Sequence, residues 1–362
     1  MNILVIPDVG RSFNAVRPEA AIYIGLAKAG HRITILTDPN GPFANAYREN
    51  DIRLIDLVPG KKIDLAAIRK INRIIKQENI DIVYATKSRT IPNAAFACVG
   101  TKARLVVYRG TTGGLYWHDP ANYLSLFHPR VDGIICNCDA ANEYVRPKVR
   151  KKILPFVTTI YKGHDLAWYQ SPKADLKSMG ISENAFNLLC VGSDREHKGM
   201  RYMIEAAGYL SDLTDLNIIL VGNNFDREPF ISQIKATGMA ERIYQPGFRE
   251  DVPQIAGACD LFVLPSVREA LSRAVLESMA YATPVITSDC GGPTEIVEHG
   301  FNGYVVPVKD GKSIAERVRF LYNNRATLKE FSANCQHTIK TKLSHERTVA
   351  NYIAYFESIL AA

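Results

Sequence analysis

Residues 261–297 read LFVLPSVREALSRAVLESMAYATPVITSDCGGPTEIV, and the punctuation of this stretch decides the fold. LFVLP (261–265) is a short apolar run stopped by Pro265, the pattern of a strand buried on both faces. PVIT (284–287) is a second such strand, and REALSRAVLE (268–277) between them reads as a short apolar helix bracketed by two glutamates. CGG followed by Pro293 is a loop that opens the next helix. Strand, loop, helix, strand is the crossover of a parallel sheet. Open sheets of this kind bind ligands beyond the carboxyl ends of their strands. Glu269, just past the first strand, stands where a ligand would be.

The same alternation runs outward in both directions. Towards the N-terminus come NILVIP, the helix PEAAIYIGLAKAGH closed by Gly30, RITILT, IRLIDL, the basic helix DLAAIRKINRIIKQEN, DIVYAT, ARLVVYRG and VDGIICNC. A second series follows, with FNLLCVG, RYMIEAAGYLSDL, NIILVG, ERIYQPG and CDLFVLP; after GYVVPVKD the chain reads as helix to its end. In 362 residues these series predict two doubly wound α/β domains. The join falls in the polar stretch 158–176, which holds Lys162-Gly163 and Pro172. The expected division is residues 1–165, residues 166–342, and a last helix, 343–362, whose aromatic residues at 352, 355 and 356 pack back onto the first domain.

Composition bounds the class. A chain 47% hydrophobic and 22% charged is of the soluble globular type. No apolar run reaches the length of a membrane span, and MNILVIPDVG reads as a first strand and not a signal peptide. Seven cysteines without a CxxC pair predict reduced thiols and a cytoplasmic location; Cys136 and Cys138 are expected to share one strand face as core filler. Residues 1–170 hold 24 Lys and Arg against 14 Asp and Glu, a net of +10. The remainder holds 20 against 23, a net of −3, so the two halves meet different partners.

Two constellations carry candidate chemistry. Eight residues separate Glu269 from Glu277, and eight residues of helix rise about 12 Å, close to the span from sugar to ribose across the diphosphate of a nucleotide-sugar. The N–H groups of Leu271, Ser272 and Arg273 would then face the diphosphate at a helix N-terminus, where dipole and unpaired donors favour anions. Spacing alone equally allows Glu269 to cap the helix and Glu277 to be solvated. The second constellation, LLCVGSDREHKGM (188–200), brings Gly192, Arg195, His197 and Lys198 to the end of another strand, where cations can neutralise a departing diphosphate. The first strand is followed by IPDVGRSFNAV, whose one glycine, Gly10, makes no dinucleotide fingerprint, and no GxxxxGKS/T phosphate loop is present.

With these motifs in place, residues 187–325 resemble the retaining glycosyltransferases of family GT4, which have the GT-B fold. The matching segments are VGSDREHKGM, IILVGNN, PGFREDVPQIAGACDLFVLPS and the run from REALSRAVLE to GYVVPVKD. The resemblance implies an α/β protein of two Rossmann-like doubly wound domains facing a central cleft, the first binding an acceptor and the second a nucleotide-sugar. It implies that Glu269 binds the donor sugar, Glu277 the ribose and Lys198 the diphosphate, with the base held near Phe248 and Arg249. Ser193 stands where the family has arginine, with Arg195 as the substitute; Ser272 replaces a common glycine; paired glycines after the first strand are reduced to Gly10; and Arg109 stands where many members have histidine. Lys198, Arg195, Glu269 and Arg109 are thus the expected catalytic residues. Glu277, Leu271, Ser272, Arg273, Gly192, Phe248, Arg249 and Gly10 are the expected donor-binding set. No D-x-D motif is present, and neither metal nor cofactor is expected.

The resemblance and the charge together imply a retaining transfer from a nucleotide-sugar to a hydroxyl acceptor, a glycan or glycolipid intermediate of the lipopolysaccharide or capsule type. The basic helix sets Ile68, Ile71, Ile74 and Ile75 on one side and Arg69, Lys70, Arg73 and Lys76 around it, and RPKVRKK (146–152) adds a second cluster. A helix of this kind is usually the solvated face of a packed element, but the total charge suits an anionic acceptor or an anionic membrane surface on the inner face. Nucleic acid is not expected, because no basic motif is interleaved with aromatic residues. The rival readings are a GT-B sugar-nucleotide epimerase and a non-catalytic sugar-nucleotide sensor.

Overall fold

The structure is a computed structural model that describes residues 1–7 and 13–362; Gly10 lies outside the described residues. The chain divides into two compact units, one of residues 1–163 with 345–362 and one of residues 164–344.

The first unit is built on seven strands: β1 Asn2–Ile6, β2 Arg32–Leu36, β3 Arg53–Ile55, β4 Ile82–Ala85, β5 Arg104–Arg109, β6 Gly133–Cys136 and β7 Val157–Thr159. Their order is β3-β2-β1-β4-β5-β6-β7, all parallel. Residues 3–6 and 82–85 are buried throughout, which is why both strands read as unbroken apolar runs. The strand β7 lies at the start of the stretch that sequence treated as irregular: VTT is too short and too polar to announce itself, and its pairing with β6 makes it a strand.

The basic helix runs Leu65–Gln77, started by Asp64, whose carboxylate accepts from Ala67 N–H at 3.1 Å. It buries Ala67, Ile71, Ile74 and Ile75. Ile68 is only half-buried, because the apolar stripe begins one residue earlier than expected. Arg69, Lys70, Arg73 and Lys76 are exposed. The last helix, His345–Ala361, belongs to the first unit and buries Tyr352, Tyr355 and Phe356 in its core. Tyr352 and Tyr84 share a hydroxyl hydrogen bond of 2.9 Å, and the Tyr355 hydroxyl donates to the Phe156 carbonyl at 2.7 Å. Gly133 makes room for this: a Cβ there would stand 2.1 Å from the Tyr355 hydroxyl.

The second unit has six strands: β8 Phe186–Val191, β9 Leu216–Val221, β10 Ile243–Gly247, β11 Leu261–Leu264, β12 Val285–Ser288 and β13 Gly303–Val306. They are ordered β10-β9-β8-β11-β12-β13, again parallel. Phe186, Leu188, Cys190, Ile218, Leu220 and Val263 form one apolar layer under the helix Met200–Gly208, which adds Met203 and Ala207. The sheet continues outward from β8 on one side and from β11 on the other, so its strand order reverses between these two neighbours.

Three local readings need correction. The helix in REALSRAVLE begins only at Arg273 and runs to Ala280, so Glu269 lies in the loop before it and the 12 Å helical rise does not separate the two glutamates. The Gly292–Glu295 segment is a single 3-10 turn and not the start of an α-helix. Cys138 lies past the end of β6, as the N-cap of the helix Asp139–Val145, so it shares no strand face with Cys136. All seven cysteines are buried and none forms a disulfide. Among the described residues no helix is long and apolar enough to cross a membrane.

Candidate functional site

The point where strand order reverses leaves a crevice at the carboxyl ends of the two central strands, because their loops turn away to opposite sides. In the second unit these strands are β8 and β11. The loop after β8 turns through Glu196–Lys198 into the helix Met200–Gly208. The loop after β11 runs from Pro265 to Ser272, which is the N-cap of the helix Arg273–Ala280. Lys198 and Glu269 meet here, with Nζ 2.6 Å from Oε2, both partly shielded at 28% and 17% side-chain exposure. Ser266 Oγ donates to the same carboxylate oxygen at 3.4 Å.

The pair is held by backbone, not by packing alone. Val267 N–H donates to the His197 carbonyl at 2.8 Å, tying one loop to the other. Glu269 N–H donates to the Cys290 carbonyl at 2.8 Å, and Gly292 N–H donates to the Glu269 carbonyl at 3.2 Å, a two-bond bridge that fixes Glu269 from behind. That bridge depends on Gly291 at φ 108° and ψ −121°, a conformation open to glycine and closed to other residues. It also depends on Gly292, whose added Cβ would fall 2.6 Å from the Ala270 carbonyl carbon.

Glu269 therefore does not cap the helix. Ser272 holds the cap position and its hydroxyl makes no capping bond, so it leaves the first N–H groups of this helix uncapped by its side chain. Leu271 is half-buried, Ser272 is buried, and Arg273 turns back to Glu277, with Nε 3.3 Å from Oε1. Glu277 is not a solvated residue: it is 4% exposed. A carboxylate so removed from water needs cationic or donor partners, and Arg273 is one.

The remaining expected residues are placed as follows. Gly192, immediately after β8, is half-buried, and a Cβ there would meet Met200 Sδ at 2.6 Å. Arg195 is exposed on the same loop. Burial, then the neighbouring Lys198, pushes the His197 imidazole below its ordinary value, so it is neutral at neutral pH. After β10, Phe248 stands 67% exposed, while the Arg249 guanidinium is forked onto Asp251 at 2.8 and 2.7 Å. This pairing raises the arginine and lowers the Asp251 carboxyl.

Arg109 belongs to the first unit, at the carboxyl end of β5. Its Nε donates to the Thr111 carbonyl at 3.0 Å and its Nη2 to the Gly113 carbonyl, so it braces its own loop. Burial pulls its guanidinium below the usual arginine range, though such a group stays charged at any working pH.

Sequence reading missed three features. Ser266 stands three residues before Glu269 in the same loop, and nothing in the run of residues marks its hydroxyl as a partner of that carboxylate. The Cys290–Gly292 bridge is invisible because it unites loops 20 or more residues apart. In the first unit, Lys162 reads as part of a polar linker, yet its ammonium pairs with Glu19 and lies 3.9 Å from the centre of the Tyr108 ring. The signal was present in the aromatic density around it but pointed to no partner.

Comparison with known proteins agrees with this architecture. Residues 173–338 match the family Glycosyl transferases group 1, and residues 21–168 match Glycosyltransferase Family 4. N-acetyl-alpha-D-glucosaminyl L-malate synthase of Bacillus anthracis is 23% identical over 355 residues, covering 92% of this chain and 91% of that protein. The UDP-Gal:alpha-D-GlcNAc-diphosphoundecaprenol alpha-1,3-galactosyltransferase of Escherichia coli is 24% identical over 314 residues, 76% of this chain and 75% of that one. The crystal structure of Anabaena Alr3699/HepE in complex with UDP superposes with a TM-score of 0.77 at 20% identity, covering 99% of this chain and all of that one. With both halves matched and two doubly wound parallel sheets beneath them, the chain belongs to the group 1 glycosyltransferases of family 4 and is a glycosyltransferase of the GT-B fold.

Proposed function

We propose that the protein transfers a sugar from a uridine diphosphate sugar, bound by its second unit, to a hydroxyl of a lipid-linked glycan or other glycan acceptor, bound by its first unit, with retention of anomeric configuration. The observation that carries this reading is the Lys198–Glu269 pair at the point where the second sheet reverses its strand order. A diphosphate entering beside the helix N-terminus draws Lys198 away from the carboxylate, and the released Glu269 accepts hydrogen bonds from the sugar hydroxyls. Glu277 holds the ribose, the N–H groups of Leu271, Ser272 and Arg273 face the phosphates, and Phe248 and Arg249 flank the base. Support for a uridine donor is the likeness to a protein solved with UDP and to a relative named for UDP-Gal. The same relative's diphosphoundecaprenol acceptor supports a lipid-linked one.

In the reaction the bond from the anomeric carbon to the diphosphate oxygen breaks as the acceptor oxygen bonds to that carbon from the same face. The acceptor proton passes to the departing phosphate oxygen. Lys198 and Arg195 stabilise the negative charge that grows on the diphosphate, an interaction stronger in the transition state than in the bound donor. The test is incubation with UDP-sugars and a lipid-diphosphate acceptor, with product configuration read by proton NMR. An α-linked product from an α-linked donor is the expected result. A β-linked product overturns retention, and UDP release with free epimerised sugar overturns transfer.

A further inference from the structure

Seven of the ten large apolar side chains left exposed among the described residues belong to the first unit. So does the positive charge: that unit has 25 Lys and Arg against 15 Asp and Glu, a net of +10, and the second has 19 against 22, a net of −3. Solubility alone asks for charge but not for exposed rings beside it.

The two coincide most closely in the connection from β5 to β6. Tyr116, Trp117 and Tyr123 project from it at 50%, 65% and 52% exposure. The Trp117 indole N–H donates to the Lys148 carbonyl at 3.1 Å, and Leu115 N–H donates to the Tyr144 hydroxyl at 3.0 Å, so this loop lies against the segment that contains RPKVRKK. Arg146 donates to the carbonyls of Leu154 and Val157, Lys148 to that of Tyr144, and Arg150 to those of Pro129 and Val131. A carbonyl fixes a cation in place without cancelling its charge. Lys151 and Lys152 are exposed. Of the carboxylates nearby, Asp132 is paired with Arg130, Asp119 is turned into the cap at Ala121 and Asp139 accepts from the Tyr161 hydroxyl, while Glu143 is exposed on the helix before the segment. These reduce the positive charge of the segment without reversing it.

We propose that this face, the Tyr116–Tyr123 loop with the Arg146–Lys152 segment, docks on an anionic phospholipid bilayer. The aromatic rings enter the boundary between headgroups and acyl chains, where indole and phenol rings are favoured, and the cations meet lipid phosphates. Trp117 suits this position because its polar N–H is already bonded within the protein, leaving the ring body to the lipid. The assignment deepens the lipid-linked acceptor of the proposed function and rests on that reading for its purpose. Lipid binding is measured without any transfer, so either can fail alone.

Trp117 and Trp168 are the two tryptophans of the chain. In a Trp168→Phe protein, emission therefore reports on Trp117. Vesicles of phosphatidylglycerol and phosphatidylcholine with brominated acyl chains should quench that emission at low salt. Quenching should fade as salt rises and be weak with phosphatidylcholine alone. Lys151→Gln with Lys152→Gln should weaken partitioning about fivefold per lysine. Trp117→Ser, followed by vesicle sedimentation, should weaken it further, with UDP binding unchanged in all variants. No quenching at low salt overturns the proposal, as does equal quenching with neutral vesicles. It is also overturned if Arg73→Gln with Lys76→Gln abolishes binding while the Lys151 and Lys152 variant does not. Trp117 emission that responds to a soluble oligosaccharide but not to vesicles would mark a glycan platform in its place.

Discussion

The two units share one architecture and place their charged pairs differently on it. Each is a parallel sheet that reverses strand order once, between β1 and β4 in the first and between β8 and β11 in the second. At the second edge the ion pair is partly open, with an uncapped helix start a few residues after Glu269 and a glycine-dependent bridge behind it. In the first unit the comparable pair, Glu19 with Lys162, is shielded to a similar degree but lies among the aromatic rings of Tyr23, Tyr108 and Tyr352, and Arg109 is occupied by its own loop. The difference teaches that the fold supplies an edge and the loops decide whether its charges serve a ligand or the core.

The comparison breaks most directly at Lys198. Lys198→Ala should lower kcat by about a hundredfold to a thousandfold, as expected for a lost preorganised charge at a developing anion. Steady-state kinetics on the folded variant checks this; near-normal turnover would mean that the open pair is structural, like its counterpart.

Glu19→Ala should act on stability and not on chemistry. Removing one partner of a mostly buried pair costs about 3–5 kcal/mol, while Glu19→Leu with Lys162→Met should recover much of it. Burial alone would lower the Lys162 ammonium, but Glu19 and then Tyr108 outweigh it, and the net shift is upward. A lysine held above its unfolded value contributes stability in full below that value and loses it as pH rises through the folded one. The lysine's share of the stability should therefore be present across neutral pH and be lost in strong alkali, measured by urea unfolding as pH is raised. A double variant less stable than Glu19→Ala would argue that Lys162 and Glu19 have a role beyond each other.

On the proposed reading, Glu269 serves the sugar and Glu277 the nucleotide. Glu277→Ala should weaken UDP by roughly tenfold to a hundredfold, the range of a lost hydrogen bond to a charged group. Glu269→Ala should leave UDP affinity intact or raised, since Lys198 loses its competing carboxylate, and should lower donor turnover. Calorimetry with UDP on both variants decides between these roles; equal weakening in both would undo them.

The smallest effect concerns the last helix. Tyr355→Phe removes the hydroxyl bond to the Phe156 carbonyl and should cost about 1 kcal/mol, with UDP binding untouched. Loss of UDP binding in that variant would show that the units are not independent in the way their sheets suggest.

Much of this was legible in one dimension because its causes are local. Apolar runs such as LFVLP and NIILV give strands wherever both faces will be buried, and Asp64 starts its helix through a bond made three residues away. The identity of the charged residues after β8 and β11 was equally readable, since each follows its strand within a few positions. What needed the third dimension was every relation between segments distant in the chain. The start of the Arg273–Ala280 helix is set by Glu269 being drawn into a bridge with the Cys290–Gly292 loop, against a helical pattern that reads straight through it. The burial of Glu277, the inward turn of Lys162 and the strand character of β7 depend likewise on neighbours that sequence does not name. Periodicity and capping act over a few residues and can be read directly; electrostatic pairing and desolvation depend on distance in space, and only the folded chain determines that distance.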